Sequence, residues 1–149
     1  MSRTENVELT TLCMLTDGDR ILLQNRVKED WQGYTFPGGH VEKGESFVDA
    51  VIREMNEETG LTIKAPKLVG IKQFPIDGGR YIVLLFKAEK YEGVLTSSEE
   101  GSMEWIERKH LSEVNTVEDF FELLNVMDDP VLTEFQYLVN GDDWSINIK

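Results

Sequence analysis

Residues 53–60 read Arg-Glu-Met-Asn-Glu-Glu-Thr-Gly, and three carboxylates in so short a stretch need a reason. At roughly 100° per residue on a helix, Glu54, Glu57 and Glu58 fall within an arc of about 100°. Like charges three or four residues apart repel by about 0.2–0.5 kcal/mol per pair on an exposed helix. A cation set among them turns that repulsion into attraction. The available donors are oxygens, and no cysteine–histidine cluster with zinc spacing accompanies them. Hard oxygen donors of this charge suit Mg2+ or Mn2+, and Mg2+ typically bridges protein carboxylates to phosphates. The chemistry this implies is metal-assisted substitution at phosphorus. Charge on the phosphate oxygens is neutralised, a carboxylate orients or deprotonates a water, and a phosphate leaves in line.

The segment that must hold these acids, residues 46–60, reads as a helix. Ser46 is a candidate N-cap with Asp49 three residues on, and Gly60 supplies the stop. Phe47, Val48, Val51 and Met55 recur at three- and four-residue spacing, which predicts one apolar stripe beside the carboxylate stripe. Arg53 is one turn from Glu57. Just upstream, residues 37–45 bring a glycine-rich backbone to the helix start, where a glycine carbonyl can approach a cation closely.

Around this helix the pattern predicts strands at 7–15 and 20–26, joined by an Asp-Gly turn, with a polar, irregular stretch after them. Strands follow at 67–76, 80–89 and 102–107, an amphipathic helix at 117–127, and a final hairpin around Asn140-Gly141. Several strands with at least two helices packed on them make an α/β (α+β) sandwich, one domain over residues 1–149. Cys13, the single cysteine, lies in a strand-like run and reads as a reduced core thiol.

A run of glutamates on a helix is usually a solvated face, so the wider spacing matters. The order is Gly39, five residues, Glu45, seven residues, Arg53-Glu54-Met55, one residue, Glu57-Glu58, one residue, Gly60-Leu61. With odds below about one in ten at each position, chance gives this arrangement less than about once in a billion windows. Residues 39–61 resemble the Nudix box at every defined position. The resemblance implies an α/β/α sandwich with a mixed β-sheet. It also implies hydrolysis of a nucleoside diphosphate linked to another group, with Mg2+ or Mn2+. By that resemblance Glu54, Glu57 and Glu58 are metal ligands, and either Glu54 or Glu57 is the general base. Gly38 offers its carbonyl to a metal, while Glu45 and Arg53 form a structural salt bridge. Glu100, five residues ahead of Trp105, matches best as a further metal ligand, with Glu99 as the alternative.

The chain resembles the MutT-like branch of that family in its length and in residues 36–45, which implies an oxidised purine nucleoside triphosphate such as 8-oxo-dGTP as substrate. Glu118 and Asp119 fall where that branch reads the base edge, and a carboxylate accepts from N–H donors; alternatively Asp119 helps start a helix. Arg26 meets phosphates or is a surface cation. Trp31 stacks on a base or lids the core, and Phe74 carries the same pair of readings. His40 and His110 read as surface residues. Other Nudix substrates, such as ADP-ribose, a dinucleotide polyphosphate or an RNA 5′ end, stay open. A binding module that lost its chemistry would be expected to have a broken box, and here every acid is present.

The remaining totals bound the partners. The chain has 149 residues, 40% hydrophobic and 29% charged, with a net charge of −13. Such a surface repels a polynucleotide backbone, so the expected partner is a nucleotide rather than DNA or RNA. The longest apolar run, 81–86, is too short to cross a bilayer, and the first ten residues lack a signal peptide's apolar core. No membrane partner and a cytoplasmic location are therefore expected, with monomer or homodimer left open.

Overall fold

A computed structural model describes residues 2–149. β1 (Asn6–Asp17) and β2 (Arg20–Arg26) form an antiparallel hairpin whose turn passes through Gly18 at φ +60°. β3 (Gly33–Thr35) and β4 (Gly38–His40) follow, two short strands inside the stretch that the sequence pattern marks only as irregular. Next come α1 (Phe47–Thr59), β5 (Leu61–Lys64), β6 (Lys67–Ile76), β7 (Gly79–Ala88), β8 (Lys90–Gly93) and β9 (Gly101–Glu107). A 3-10 helix (Arg108–Glu113), α2 (Phe120–Asp128) and a hairpin of β10 (Glu134–Asn140) and β11 (Asp143–Ile148) follow in turn.

Among the described residues nine strands make one sheet, ordered β11-β10-β6-β7-β1-β2-β3, with β4 also on β1 and β9 also on β2. β1 runs parallel to β7 and β10 parallel to β6, while the other neighbours are antiparallel, so the sheet is mixed. β5 and β8 form a separate two-stranded sheet.

Alternation along β1 and β7 supplies two cores. Cys13, Leu15, Leu84 and Phe86 pack with Val51 and Met55 of α1. Met14, Val83 and Leu85 pack with Phe120, Leu123 and Val126 of α2. Each large apolar side chain buried this way contributes about 1.5–3 kcal/mol. The result is the expected α/β/α sandwich, with one helix on each face of the sheet. Cys13 is a free, fully buried thiol, and burial pushes its pKa up to about 12. No helix among the described residues is long and apolar enough to cross a membrane.

Two expectations change. The buried face of α1 is Ala50, Val51, Met55 and Thr59, whereas Phe47 and Val48 are 46% and 45% exposed. They are in phase with the stripe, but the core begins a turn later, at Ala50. The second helix begins at Phe120 rather than at 117. Asp119 sits at φ +63°, a left-handed conformation that a right-handed helix cannot include.

Candidate active site

The local sequence explains why α1 presents its acids at a fixed angle. Ser46 caps the helix by accepting from the Asp49 amide at 2.9 Å. Gly60 ends it at φ +79°, and its amide donates to the Asn56 carbonyl. A side chain at Gly60 would also meet the Val94 carbonyl at 2.5 Å, so the position is closed to any other residue. Between these stops Val51 and Met55 anchor one side of α1, leaving Glu54, Glu57 and Glu58 on its other side.

Arg53 organises the acids. Its Nε and Nη2 donate to the two oxygens of Glu45 at 2.8 and 3.0 Å, and Nη2 also donates to the His40 carbonyl at 2.9 Å. Nη1 donates to Glu54 at 2.9 Å and Glu57 at 3.2 Å. All five guanidinium donors therefore have acceptors. The Arg53 guanidinium and the Glu42 amide hold the Glu45 carboxyl down to about 2. Burial raises the proton affinity of Glu54 against the pull of Arg53, and the charges of Glu57 and Glu58 add to the rise. Glu58 accepts from the Ser98 hydroxyl at 2.7 Å and from Gln24 Nε2 at 3.3 Å.

The glycine pair works through its backbone. A Cβ on Gly39 would lie 2.2 Å from Glu54 Oε2, so the missing side chain is what lets that carboxylate rest against β4. Cys13 donates to the Pro37 carbonyl and Val41 to the Leu9 carbonyl. With Thr11 opposite Gly39, this register leaves Gly38 and His40 in the non-hydrogen-bonded positions. Their carbonyls point away from β1. Arg53 takes that of His40, and the Gly38 carbonyl faces the same outer edge.

The donor set fits a hard divalent cation, being three carboxylates and an outward carbonyl. Among the described residues no three acidic, imidazole or thiol side chains already converge on one point, because Arg53 stands between Glu54 and Glu57.

On the α2 side of the sheet lies a cleft of about 550 Å³. Gly38, Gly39 and Gln24 line it, and Gln24 and Gly39 also touch Glu58 and Glu54, so cleft and carboxylates meet there. The structure brings most of the sequence-derived candidates into it. Arg26 and Trp31 are on its wall, with the guanidinium 4.8 Å from the indole centroid and Nε donating to the Trp31 carbonyl at 3.0 Å. Phe74 lines it, stacked on Tyr81 with centroids 4.8 Å apart. Glu100 lines it too, paired with Lys28 at 3.0 Å and not with the α1 acids. Glu118 borders the cleft. Asp119 makes no side-chain cap to α2; one of its oxygens accepts from the Tyr137 hydroxyl at 2.5 Å. Burial, and then that contact, raise the pKa of Tyr137.

Sequence reasoning missed Gln24, Ser98, Lys72 and Tyr137. Lys72 carried a signal: a lysine in the middle of a strand, here on the side that packs against α2. The polar partners of Glu58 carried none, since 34 and 40 residues separate them from it.

The NUDIX domain family profile matches residues 7–127. The uncharacterized Nudix hydrolase YvcI of Bacillus subtilis is 39% identical over 105 residues, 66% of this chain and 65% of that protein. The oxidized purine nucleoside triphosphate hydrolase of Danio rerio is 31% identical over 106 residues, 67% of this chain and 66% of that protein. The chain thus spans just under two thirds of the length of these two curated relatives. The crystal structure of a mutator MutT protein from Bacillus halodurans superposes with a TM-score of 0.79 at 30% identity, covering 95% of this chain and 97% of that one. Sequence profile, box geometry and fold agree, and the chain belongs to the NUDIX domain family.

Proposed function

We propose that this protein is a Mg2+- or Mn2+-dependent pyrophosphohydrolase that converts a nucleoside triphosphate, 8-oxo-dGTP or a related oxidised purine nucleotide, to its monophosphate and pyrophosphate. One observation carries the reading: an aromatic-walled cleft ends at Gly38 and Gly39, the glycine pair against which Glu54 rests. A base held in that cleft puts its phosphates toward the carboxylates of α1. The Danio rerio relative, described as acting on oxidized purine nucleoside triphosphates, supports the choice of substrate.

Glu54, Glu57 and Glu58, with the Gly38 carbonyl and Glu100, would hold the cation. The bound cation supplies charge neutralisation on the phosphate oxygens. Arg53, locked by Glu45 and the His40 carbonyl, fixes where Glu54 and Glu57 point. Either of those two carboxylates takes the proton from the attacking water. Arg26 and Lys28 give positive charge at the cleft for the phosphates, and Trp31 and Phe74 offer faces for the base.

The test is pyrophosphate release from a nucleotide panel with Mg2+, with every product identified, using wild type and Glu57→Gln. The expected result is a higher kcat/KM for 8-oxo-dGTP than for dGTP, and near-complete loss in Glu57→Gln. Equal values for the two triphosphates, or a preference for ADP-ribose, would remove the substrate assignment. Absence of hydrolysis across the panel would mark a binding module.

A further inference from the structure

Lys72 is anomalous. It sits on β6 with its side chain on the α2 side of the sheet, next to core residues. Its Nζ lies 5.3 Å from the centroids of Phe135 and Tyr137 and 5.9 Å from that of Phe74. Among the described residues it makes neither an ion pair nor a hydrogen bond. Burial lowers its pKa, and the charge of Asp119 partly opposes that. An ammonium carries three donors and no acceptor. The rings around it offer cation–π attraction but no lone pair for a hydrogen bond. Lys72 is partly exposed and opens onto the cleft, so its ammonium keeps part of its contact with solvent there. Its three donors are therefore available to an acceptor on a ligand in the cleft.

The surroundings select which acceptor. A phosphate is disfavoured, because Glu118 borders the same cleft and the Asp119 charge already acts on Lys72. A neutral carbonyl on a flat ring is favoured by Phe74, Tyr81, Tyr137 and Trp144, which line the same space. We propose that Lys72 reads the six-position of a purine, donating to a carbonyl oxygen there and rejecting an amino group, with Glu118 accepting from the adjacent ring N–H. Guanine and its 8-oxo form present an acceptor followed by donors along that edge. Adenine presents the reverse order and would set an amino group against an ammonium. The proposal rests on the reading of the cleft as a nucleotide site and adds which side chain sets its preference for a six-carbonyl purine.

The experiment is equilibrium binding of GMP and AMP to the full chain in EDTA, by calorimetry. Wild type is expected to bind GMP about 10- to 100-fold more tightly than AMP. Lys72→Met should bring the two affinities within about threefold of each other by weakening GMP, and Lys72→Arg should keep much of the preference. Melting curves accompany each variant, and Lys72→Gln serves the same comparison if Lys72→Met does not fold. A folded Lys72→Met with an unchanged GMP/AMP ratio overturns the proposal and leaves Lys72 a packing residue. Equal binding of GMP and AMP by wild type, with triphosphate hydrolysis intact, removes the Lys72 assignment alone. Binding of neither monophosphate, with no triphosphate hydrolysis, removes the nucleotide reading and this proposal together.

Discussion

The two halves of the site are built on opposite plans. The carboxylate half is charge-dense, and it is organised by one arginine whose five donors are all engaged within residues 40–57. The cleft half is ring-dense, collects residues from strands far apart in the sequence, and holds two cations, Arg26 and Lys72, that make no ion pair among the described residues. A charge network on a single helix fixes direction, as displacement at phosphorus requires. A ring-walled cleft fixes a plane, as base recognition requires. The halves meet along one edge, at Gly38, Gly39, His40, Gln24 and Glu100, while Glu54 and Glu57 stay off the cleft wall, so losses at those two carboxylates should leave the cleft intact.

The largest expected effect separates them. Glu54→Gln and Glu57→Gln should each lower kcat/KM for triphosphate hydrolysis by about 10²- to 10⁴-fold, the range for removing a positioned acid or base. GMP affinity in EDTA should stay within about twofold of wild type, since neither side chain lines the cleft. Parallel loss of GMP binding and hydrolysis would mean that the two halves are one.

Next in size is a break at the join. A methyl at Gly39 collides with the Glu54 carboxylate, the movable end of a side chain. Gly39→Ala should therefore fold and lose about 10- to 100-fold in kcat, because an ångström of misplacement at the reacting centre costs that much. Unchanged kcat would show that Glu54 does not need its contact with β4.

The contrast also explains what could be read from the chain in advance. Ser46 and Gly60 were readable because capping residues mark helix ends locally, and the structure has both at the ends of α1; the Glu45–Arg53 pair came from the resemblance to the box, and the two side chains are bonded. The long strands and the last hairpin follow from alternation and turn residues. The cleft was only partly readable. Arg26, Trp31, Phe74 and Glu118 were named one by one, but nothing local says that β2, the loop after it, β6 and the segment before α2 meet around one cleft. β3 and β4 were missed because three-residue strands carry too little alternation to register. Phe47 and Val48 misled because period fixes the direction of a side chain and not whether a core extends that far.

A smaller effect is expected at Asp119, where a left-handed residue bonds to a half-buried tyrosine. Asparagine tolerates that backbone, so Asp119→Asn removes charge with little strain. Base preference between 8-oxo-dGTP and dGTP should change by about 3- to 10-fold, roughly one hydrogen bond's contribution. The rate with unmodified dGTP should move much less. If both fall together, Asp119 serves to anchor Tyr137 and does not read the base.

The smallest effect is in stability, and it tests whether the charged half alone responds to pH. Glu45 titrates at about 2 in the folded chain, below its ordinary value, because Arg53 and the Glu42 amide favour its carboxylate. A depressed folded pKa contributes stability that is fully present above the ordinary carboxylate value and is lost as pH falls toward the folded one. Glu45→Gln should therefore lower Tm at pH 7, and the gap from wild type should narrow steadily from about pH 4.5 down to about pH 2. A Glu45→Gln gap that stayed constant between pH 7 and pH 2 would mean that Arg53 is held by shape and by the His40 carbonyl, and that the charge on Glu45 does not position Glu54 and Glu57.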